Sequence, residues 1–259
     1  MSIDLATVPL WFWSLWAGLV GLAAGSFFTV AASRWPKGES LVRPRSHCTG
    51  CQRTLNVREL IPVLSWALQR GRCRGCGSRI GWRYPAIELA SGILAAGAIA
   101  AFGPSWRGVA AALLGLALVP VVVIDLEHRL IPDVVVLPAA ALGLVAAVLA
   151  DPGRWWVPAV AAGAGAGFLL LLWLVYPGGM GLGDVKLALL MGAVLGASVI
   201  PALALAFVAG SVLGIVLLIR VGSRARKIAV PFGPFLAAGA LVALFWGPSM
   251  IDWYSGRIG

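Results

Sequence analysis

The sequence is poor in charged and nucleophilic side chains. Only 12% of its 259 residues are charged, and it contains two histidines and four cysteines. Soluble domains carry about twice that charged fraction, so the composition excludes an ordinary water-soluble protein. With His47 and His128 as the only histidines, no Ser-His-Asp or Cys-His arrangement can be read from the chain. The first 30 residues lack the basic segment of a secretory signal peptide, so we expect none.

Long apolar runs make up most of the chain. Hydrophobic residues account for 60% of it, and the mean hydropathy is +0.94. Many runs reach about 17 residues without a charge, which is enough to cross a bilayer core of about 30 Å. We therefore predict an all-α polytopic membrane protein with about eight transmembrane helices. The predicted spans lie near residues 8–32, 85–103, 108–125, 134–150, 157–175, 185–200, 201–219 and 232–251. Only the segment 196–201 separates the sixth span from the seventh.

The basic residues are concentrated in a few loops. The formal charge of +10 is compatible with nucleic-acid binding, but 17 of the 20 Lys and Arg lie in or beside alternate loops. If the N-terminus is outside, these are the cytoplasmic loops 33–84, 126–133, 176–184 and 220–231. Such a bias follows the positive-inside rule, and basic juxtamembrane segments also contact anionic lipids. We therefore predict periplasmic termini, membrane lipid as a partner and no nucleic-acid partner.

The loop between the first two spans contains all four cysteines. Cys48, Cys51, Cys73 and Cys76 have the spacing C-x2-C-x21-C-x2-C, typical of a structural Zn²⁺ site. Disulfides, a redox pair or free thiols are the alternatives, and a reducing cytoplasm argues against disulfides. A site closed by four thiolates is a poor hydrolytic centre, so we expect the metal to stabilise a loop too small to fold without it. The predicted units are the first transmembrane helix (1–32), the zinc loop (33–84) and a membrane-embedded domain (85–259).

Two aspartates stand out among only ten acidic residues. Asp125 ends an apolar run, where the helix dipole disfavours a negative charge, and Asp184 follows a glycine-rich turn. Asp184 has a structural alternative, since aspartate is a common N-cap. Both residues fall at the cytoplasmic edge of predicted spans, and ionisable groups at membrane depth are usually functional. Two carboxylates that converge there can share a proton and activate water, as in aspartic proteases.

Neighbouring residues are candidates for supporting roles. Gly181 and Gly183 flank the turn before Asp184 and would allow a peptide backbone to approach closely. Lys186 either pairs with a site carboxylate or extends to lipid headgroups. Asp133 follows Pro132 at a span start, and we interpret it mainly as a helix cap. The run 127–129 is expected to be a solvated interfacial segment.

The motifs together resemble those of the bifunctional prepilin peptidases, also called type IV leader peptidases. The resemblance covers residues from about 25 to 238 and is specific because many separate motifs contribute. The matching segments are Gly25-Ser26-Phe27, Arg43-Pro44-Arg45-Ser46, the two cysteine pairs, residues 61–66 (IPVLSW), 70–73 (RGRC), 83–89 (RYPAIEL), Asp125 with Ile131-Pro132-Asp133, 181–187 (GLGDVKL) and 230–235 (VPFGPF).

The resemblance implies an eight-helix fold in the bacterial inner membrane with Asp125 and Asp184 as the catalytic pair. The implied substrates are prepilins or type II secretion pseudopilins, cleaved after a glycine that precedes an apolar helix. A second implied activity is N-methylation of the new N-terminus with S-adenosylmethionine, associated with the cysteine loop. Two departures bear on that activity: Thr29 replaces a usual asparagine, and Thr49 stands where a proline commonly follows the first cysteine.

Three other functions remain to be distinguished. A peptidase without methyltransferase activity is compatible with the two departures. A proton-coupled transporter would use Asp125 and Asp184 as relays, but transporter carboxylates usually lie near the midplane of repeat-related helices. A membrane-anchored zinc module leaves the glycine-rich turn at Asp184 unexplained.

Overall fold

A computed structural model describes residues 8–222 and 229–256. The predicted segment 220–231 is therefore described only in part, and three of its four basic residues lie outside the described residues. Apart from short 3₁₀ turns, the helices are α1 (Leu10–Arg34), α2 (Leu64–Leu68), α3 (Arg83–Phe102), α4 (Trp106–His128), α5 (Asp133–Ala150), α6 (Trp156–Val175), α7 (Leu182–Leu195), α8 (Val199–Val221) and α9 (Gly233–Ser255).

All eight predicted spans form helices, and the ninth helix, α2, is a short piece of the cysteine loop. By length and apolar composition, seven stretches of the described chain can cross a membrane. The two counts differ because α7 and α8 form one continuous apolar stretch, Leu182–Val221. With 14 residues, α7 is about 21 Å long and does not cover a full bilayer core by itself. The fold is that of an all-α multi-pass membrane protein.

The break between the sixth and seventh spans falls within the predicted separating segment 196–201, but at its start and not at the predicted span boundary of 200–201. Helix α7 ends at Leu195, and a 3₁₀ turn at Gly196–Ser198 separates it from α8. Gly196 has φ +57°, a conformation that glycine adopts without the strain of a Cβ. Pro201 lies in the first turn of α8, where its missing N–H has no intrahelical acceptor to lose. The glycine therefore ends the helix, and the proline does not.

Successive long helices run in opposite directions, and the start of α3, the end of α4, the start of α7 and the start of α9 meet at one end of the bundle. Three contacts show this: Arg83 pairs with Glu127, Gly183 packs on Ile131, and the Gly233 amide binds Asp125. At the opposite end, Phe102 stacks on Phe245 with ring centroids 5.9 Å apart. We call the first of these the site end, because both candidate catalytic aspartates lie there.

Small residues let the helices approach closely. Gly192 of α7 lies against the backbone of Ala161 in α6, and Gly239 of α9 lies against the carbonyl of Ala202 in α8. Such contacts are typical of helix association in membranes, where apolar surface gains nothing by leaving lipid. Helices α4, α7 and α9 contact one another and contribute to the main buried cluster. This central group of three helices holds both aspartates.

Candidate active site

Asp125 and Asp184 come together at the site end of the central helices. Asp125 lies in the last turn of α4, and Asp184 lies in the first turn of α7. Their side chains are buried, at 5% and 6% exposure, and their charges are close enough to interact directly. A carboxylate buried without a basic partner is costly. In the described chain no ion pair involves either residue, so both buried acids lie at the site end without a basic partner.

Each carboxyl group accepts a hydrogen bond from a backbone amide. The Gly181 N–H donates to Asp184 Oδ2 at 3.0 Å, and the Gly233 N–H donates to Asp125 Oδ2 at 2.8 Å. The first bond is local and belongs to the start of α7. Asp184 therefore stabilises the N-terminus of α7, as the sequence suggested. It does so as the third residue of the helix, since the N-cap residue is Gly181. The second bond joins two distant helices.

The two glycines before Asp184 have different surroundings. A Cβ on Gly183 would lie 2.7 Å from the Cβ of Ile131, so this glycine is needed for packing of α7 against the segment before α5. A Cβ on Gly181 would meet nothing nearer than Asp184 Oδ2, at 3.7 Å. The sequence suggested one reason for both glycines, whereas the structure distinguishes them.

Lys186 and Asp133 form an ion pair that joins α7 to α5. The distance from Lys186 Nζ to Asp133 Oδ2 is 2.6 Å, with the side chains 37% and 50% exposed. The expected cap at Asp133 is wrong, because its side chain makes no capping hydrogen bond and Pro132 is the N-cap residue. The pair lies beside the two aspartates and links the turns that hold them.

The sequence missed two long-range partners at this end. Arg83, at the start of α3, pairs with Glu127 at 2.7 Å, and His128 Nε2 lies 3.8 Å from the same carboxylate. The run 127–129 therefore does more than face solvent, since it ties the end of the cysteine loop to the helix of Asp125. The other missed partner is Gly233. Its motif was visible in the sequence, but no local pattern paired it with residue 125.

The four cysteines form one cluster. Their Sγ atoms all lie within 4.8 Å of one another, and those of Cys48 and Cys76 are 3.8 Å apart. In a tetrahedral zinc site with Zn–S bonds of about 2.3 Å, neighbouring sulfurs lie about 3.8 Å apart. None of the four forms a disulfide in the structure, unlike the disulfide alternative. The cluster is able to hold a metal ion.

The two cysteine pairs have the same local structure. In each pair the backbone N–H of the first cysteine donates to the carbonyl of the residue five positions later. The backbone N–H of the residue two positions later donates to the sulfur of that cysteine. For Cys48 these partners are Arg53 O and Gly50 N, and for Cys73 they are Ser78 O and Gly75 N. The first cysteine of each pair is buried and the second is exposed. Two similar turns therefore present four sulfurs to one point.

Hydrogen bonds to the buried sulfurs favour the thiolate that a metal requires. The Ser78 hydroxyl and the amides of Cys51 and Gly50 lower the pKa of Cys48 to about 5. The amides of Cys76 and Gly75 likewise lower the pKa of Cys73. The pKa of Cys51 is instead raised to about 11: the Arg53 amide lowers it, but hydrogen bonding to Cys76 and the other two cysteines, together with desolvation, raises it more. Because metals bind deprotonated sulfur, the donors prepare the two buried sulfurs for a cation.

An internal ion pair supports the first cysteine turn. Both guanidinium nitrogens Nη1 and Nη2 of Arg53 donate to the buried Glu59 carboxylate, at 3.1 and 2.6 Å. The Asn56 amide donates to the same carboxylate at 3.0 Å, and the Arg53 guanidinium also interacts with Cys73. Arg53 thus connects the two halves of the loop and places a positive charge beside the sulfurs.

Two family profiles match successive parts of the chain. Residues 19–102 match the bacterial peptidase A24 N-terminal domain, which includes the four cysteines. Residues 111–219 match the type IV leader peptidase family, and this part includes Asp125 and Asp184. No solved structure matches the chain significantly.

Curated relatives cover most of the chain. A Bacillus subtilis (strain 168) protein named prepilin leader peptidase/N-methyltransferase is 36% identical over 239 residues, covering 91% of this chain and 95% of the relative. A protein of the same name from Burkholderia pseudomallei (strain 1026b) is 40% identical over 255 residues, covering 95% and 81%. One from Stutzerimonas stutzeri is 36% identical over 288 positions, covering 96% of each chain. With this similarity along nearly its whole length, the chain belongs to the type IV leader peptidase family.

Proposed function

We propose that the protein is a membrane aspartic endopeptidase that cleaves the leader of prepilins or pseudopilins. The observation that carries this proposal is the pair of buried carboxyl groups, Asp125 and Asp184, that meet at one end of the bundle. The relatives are named for the same activity, so site geometry and similarity agree.

The two carboxyl groups supply the acid and the base of hydrolysis. With one proton shared between them, the ionised group takes a proton from water while the protonated group donates one to the scissile peptide. Burial excludes competing solvent and strengthens both interactions. The ion pair of Lys186 with Asp133 holds the α5 and α7 turns together, and Gly183 permits that contact. A Cβ on Gly181 would make only ordinary contacts, so packing does not require glycine there, and an extended substrate backbone is proposed to pass beside it.

The cysteine cluster is proposed to bind one structural zinc ion through Cys48, Cys51, Cys73 and Cys76. Four thiolates fill a tetrahedral shell and leave no open position for a catalytic water. The zinc would hold the two cysteine turns together and thereby order the loop. Metal analysis of the purified protein is expected to return about one zinc per chain. A metal-free protein whose four thiols all react with a mild thiol reagent would contradict this assignment.

A second activity, N-methylation of the new N-terminus, is proposed for the loop side of the molecule. A cleft of about 210 Å³ lies between α1 and the loop, with Arg34, Ser26 and Ser46 among apolar walls. This volume is below the roughly 300–1,000 Å³ of pockets that enclose a ligand of this size, so the cleft would hold only part of S-adenosylmethionine, with the guanidinium suited to its carboxylate and the hydroxyls to its ribose. The cofactor would supply the methyl group, and the cleft would orient it. Arg34→Gln is expected to weaken binding of radiolabelled cofactor while precursor cleavage continues.

The site end is proposed to face the cytoplasm, in the inner membrane, with both termini periplasmic. The distribution of Lys and Arg supports this orientation, since eleven of them lie between Arg34 and Arg83. The site end would then meet precursor proteins before they leave the membrane. A cysteine introduced at the exposed loop position by Arg58→Cys is expected to be labelled by an impermeant thiol reagent in inverted but not right-side-out vesicles, with the unsubstituted protein as the control for the four zinc-site cysteines.

The decisive experiment is cleavage of a pilin-type precursor by purified protein. Asp125→Asn and Asp184→Asn are each expected to abolish cleavage while the protein stays folded, because either change removes an ionisable carboxyl group. Asp133→Asn is the matched control and is expected to retain most activity. Residual activity above about a hundredth of wild type in either dyad variant would remove that residue from catalysis. A transporter would leave the precursor intact.

A further inference from the structure

The hydrogen bond to Asp125 comes from a part of the chain that has no role in the mechanism above. The donor is the backbone N–H of Gly233, the first residue of α9, 108 residues away in sequence. The N···Oδ2 distance is 2.8 Å and the bond is buried. No other protein donor to the carboxyl group of Asp125 is found among residues 8–222 and 229–256, so α9 supplies the polar contact of this side chain.

The start of a helix is well suited to this contact. The first amides of a helix have no intrahelical acceptor, and the N-terminus is the positive end of the helix dipole. Asp125 lies near the C-terminal end of α4, where the dipole of its own helix disfavours a negative charge. The N-terminus of α9 therefore stabilises a negative charge on Asp125, which the dipole of α4 disfavours.

Only glycine fits at position 233. A Cβ there would lie 2.7 Å from Oδ2 and 3.2 Å from Cγ of Asp125, and the three nearest atoms all belong to Asp125. These distances are shorter than an ordinary non-bonded contact of about 3.5 Å. A side chain at 233 would therefore displace the carboxyl group itself.

The neighbours of Gly233 hold its amide in place. Phe232 packs on Phe207 of α8 and on Phe235, with ring centroids 5.3 and 6.2 Å apart. Pro234 in the first turn of α9 restricts the backbone where a proline costs no hydrogen bond. The start of α9 is thus a stiff element directed at the carboxyl group.

We propose that Gly233 is a positioning residue of the peptidase: its amide orients the Asp125 carboxyl group, and its lack of a side chain leaves room for that group beside Asp184. This inference rests on the proposed catalytic role of Asp125. Gly233 would act only through Asp125 and would have no chemistry of its own in the reaction.

The first test measures stability and needs no activity. Gly233→Ala and Gly247→Ala are compared, because a Cβ on Gly247 at the far end of α9 would also clash, at 2.5 Å from the Ser198 Cβ. Both are expected to lower the thermal unfolding midpoint. In an Asp125→Ala background the effect of Gly233→Ala is expected to disappear, because the carboxyl atoms are gone, while that of Gly247→Ala remains. An equal loss from Gly233→Ala in both backgrounds would overturn the proposal.

The second test removes the hydrogen bond without adding a Cβ. Glycolic acid, introduced at position 233 by nonsense suppression, replaces the N–H with an ester oxygen. We expect kcat for precursor cleavage to fall about tenfold or more, with KM within about twofold, because a hydrogen bond that orients a catalytic carboxyl group is lost. Phenyllactic acid at position 235, whose amide donates to Phe232 O, is the control and is expected to keep kcat within about threefold.

The outcomes separate the positioning role from the proposed function. A kcat within twofold of wild type for the glycolate variant would overturn the role of the Gly233 amide. Wild-type protein that never cleaves a precursor would overturn the peptidase assignment, while the stability comparison would still report whether position 233 serves Asp125.

Discussion

The contrast between Gly183 and Gly181 leads to a sharp prediction. Both glycines belong to the turn before Asp184, and by sequence either could serve substrate approach. In the structure a Cβ on Gly183 would lie 2.7 Å from the Cβ of Ile131, whereas one on Gly181 would lie at an ordinary 3.7 Å from the nearest atom. Gly181 has φ −89°, which any residue adopts. We therefore expect Gly183→Ala to be damaging and Gly181→Ala to be tolerated structurally.

The size of the effect follows from these distances. Carbon atoms in contact lie about 3.5–4.0 Å apart, so Gly183→Ala has to move the start of α7 from Ile131 by roughly 1 Å. Overpacking of this kind costs about 1–3 kcal/mol of stability. A 1 Å displacement of Asp184 relative to Asp125 is expected to lower cleavage by about a hundredfold. For Gly181→Ala we expect a stability change below about 0.5 kcal/mol.

Precursor cleavage in detergent and thermal unfolding of the same samples are the assays. Ile131→Gly combined with Gly183→Ala removes the opposing Cβ and is expected to restore part of the activity. Gly183→Ala protein that cleaves within threefold of wild type would refute the packing argument. Loss of cleavage in Gly181→Ala without loss of stability would instead place the substrate backbone against Gly181.

Three further predictions concern the ion pair, the metal and the two activities. Lys186→Met is expected to cost less than about 1 kcal/mol and a few-fold in cleavage, because the pair with Asp133 is half-exposed; a dead variant would assign Lys186 a direct role. If the proposed zinc is bound, its removal with a chelator is expected to expose residues 33–84 to protease before the helices, since the metal would join only the loop. Cys73→Ser is expected to reduce methylation of a precleaved peptide more than cleavage of the precursor. Equal loss of both activities would mean that the loop also docks the substrate over the dyad.

Gly196 and Gly233 show where local sequence patterns stop being informative. An apolar run from 182 to 221 does not reveal where the chain turns, because the break depends on which residue tolerates φ +57°. Likewise, the motif around Gly233 was visible, but its partner lies on a helix 108 residues away. Which helix faces contact each other depends on helix rotation and depth, and these are properties of the packed bundle.

Other features follow from the sequence alone, for physical reasons. Uncharged runs of about 17 or more residues have no stable alternative to membrane helices in a chain this apolar. Two short cysteine turns are local structures, so spacing alone predicted their cluster. With only ten acidic residues, Asp125 and Asp184 stood out by their cost at membrane depth.

The tertiary structure alone decided how those aspartates are held. It brought the end of α4 to the start of α7, supplied the amide of Gly233, and joined Lys186 to Asp133 and Arg83 to Glu127. The sequence determines which segments enter the membrane. It also identifies the ionisable side chains whose desolvation there is costly enough to indicate a function. The packing of those segments decides which groups meet, because contacts between distant helices leave no periodic trace in either segment.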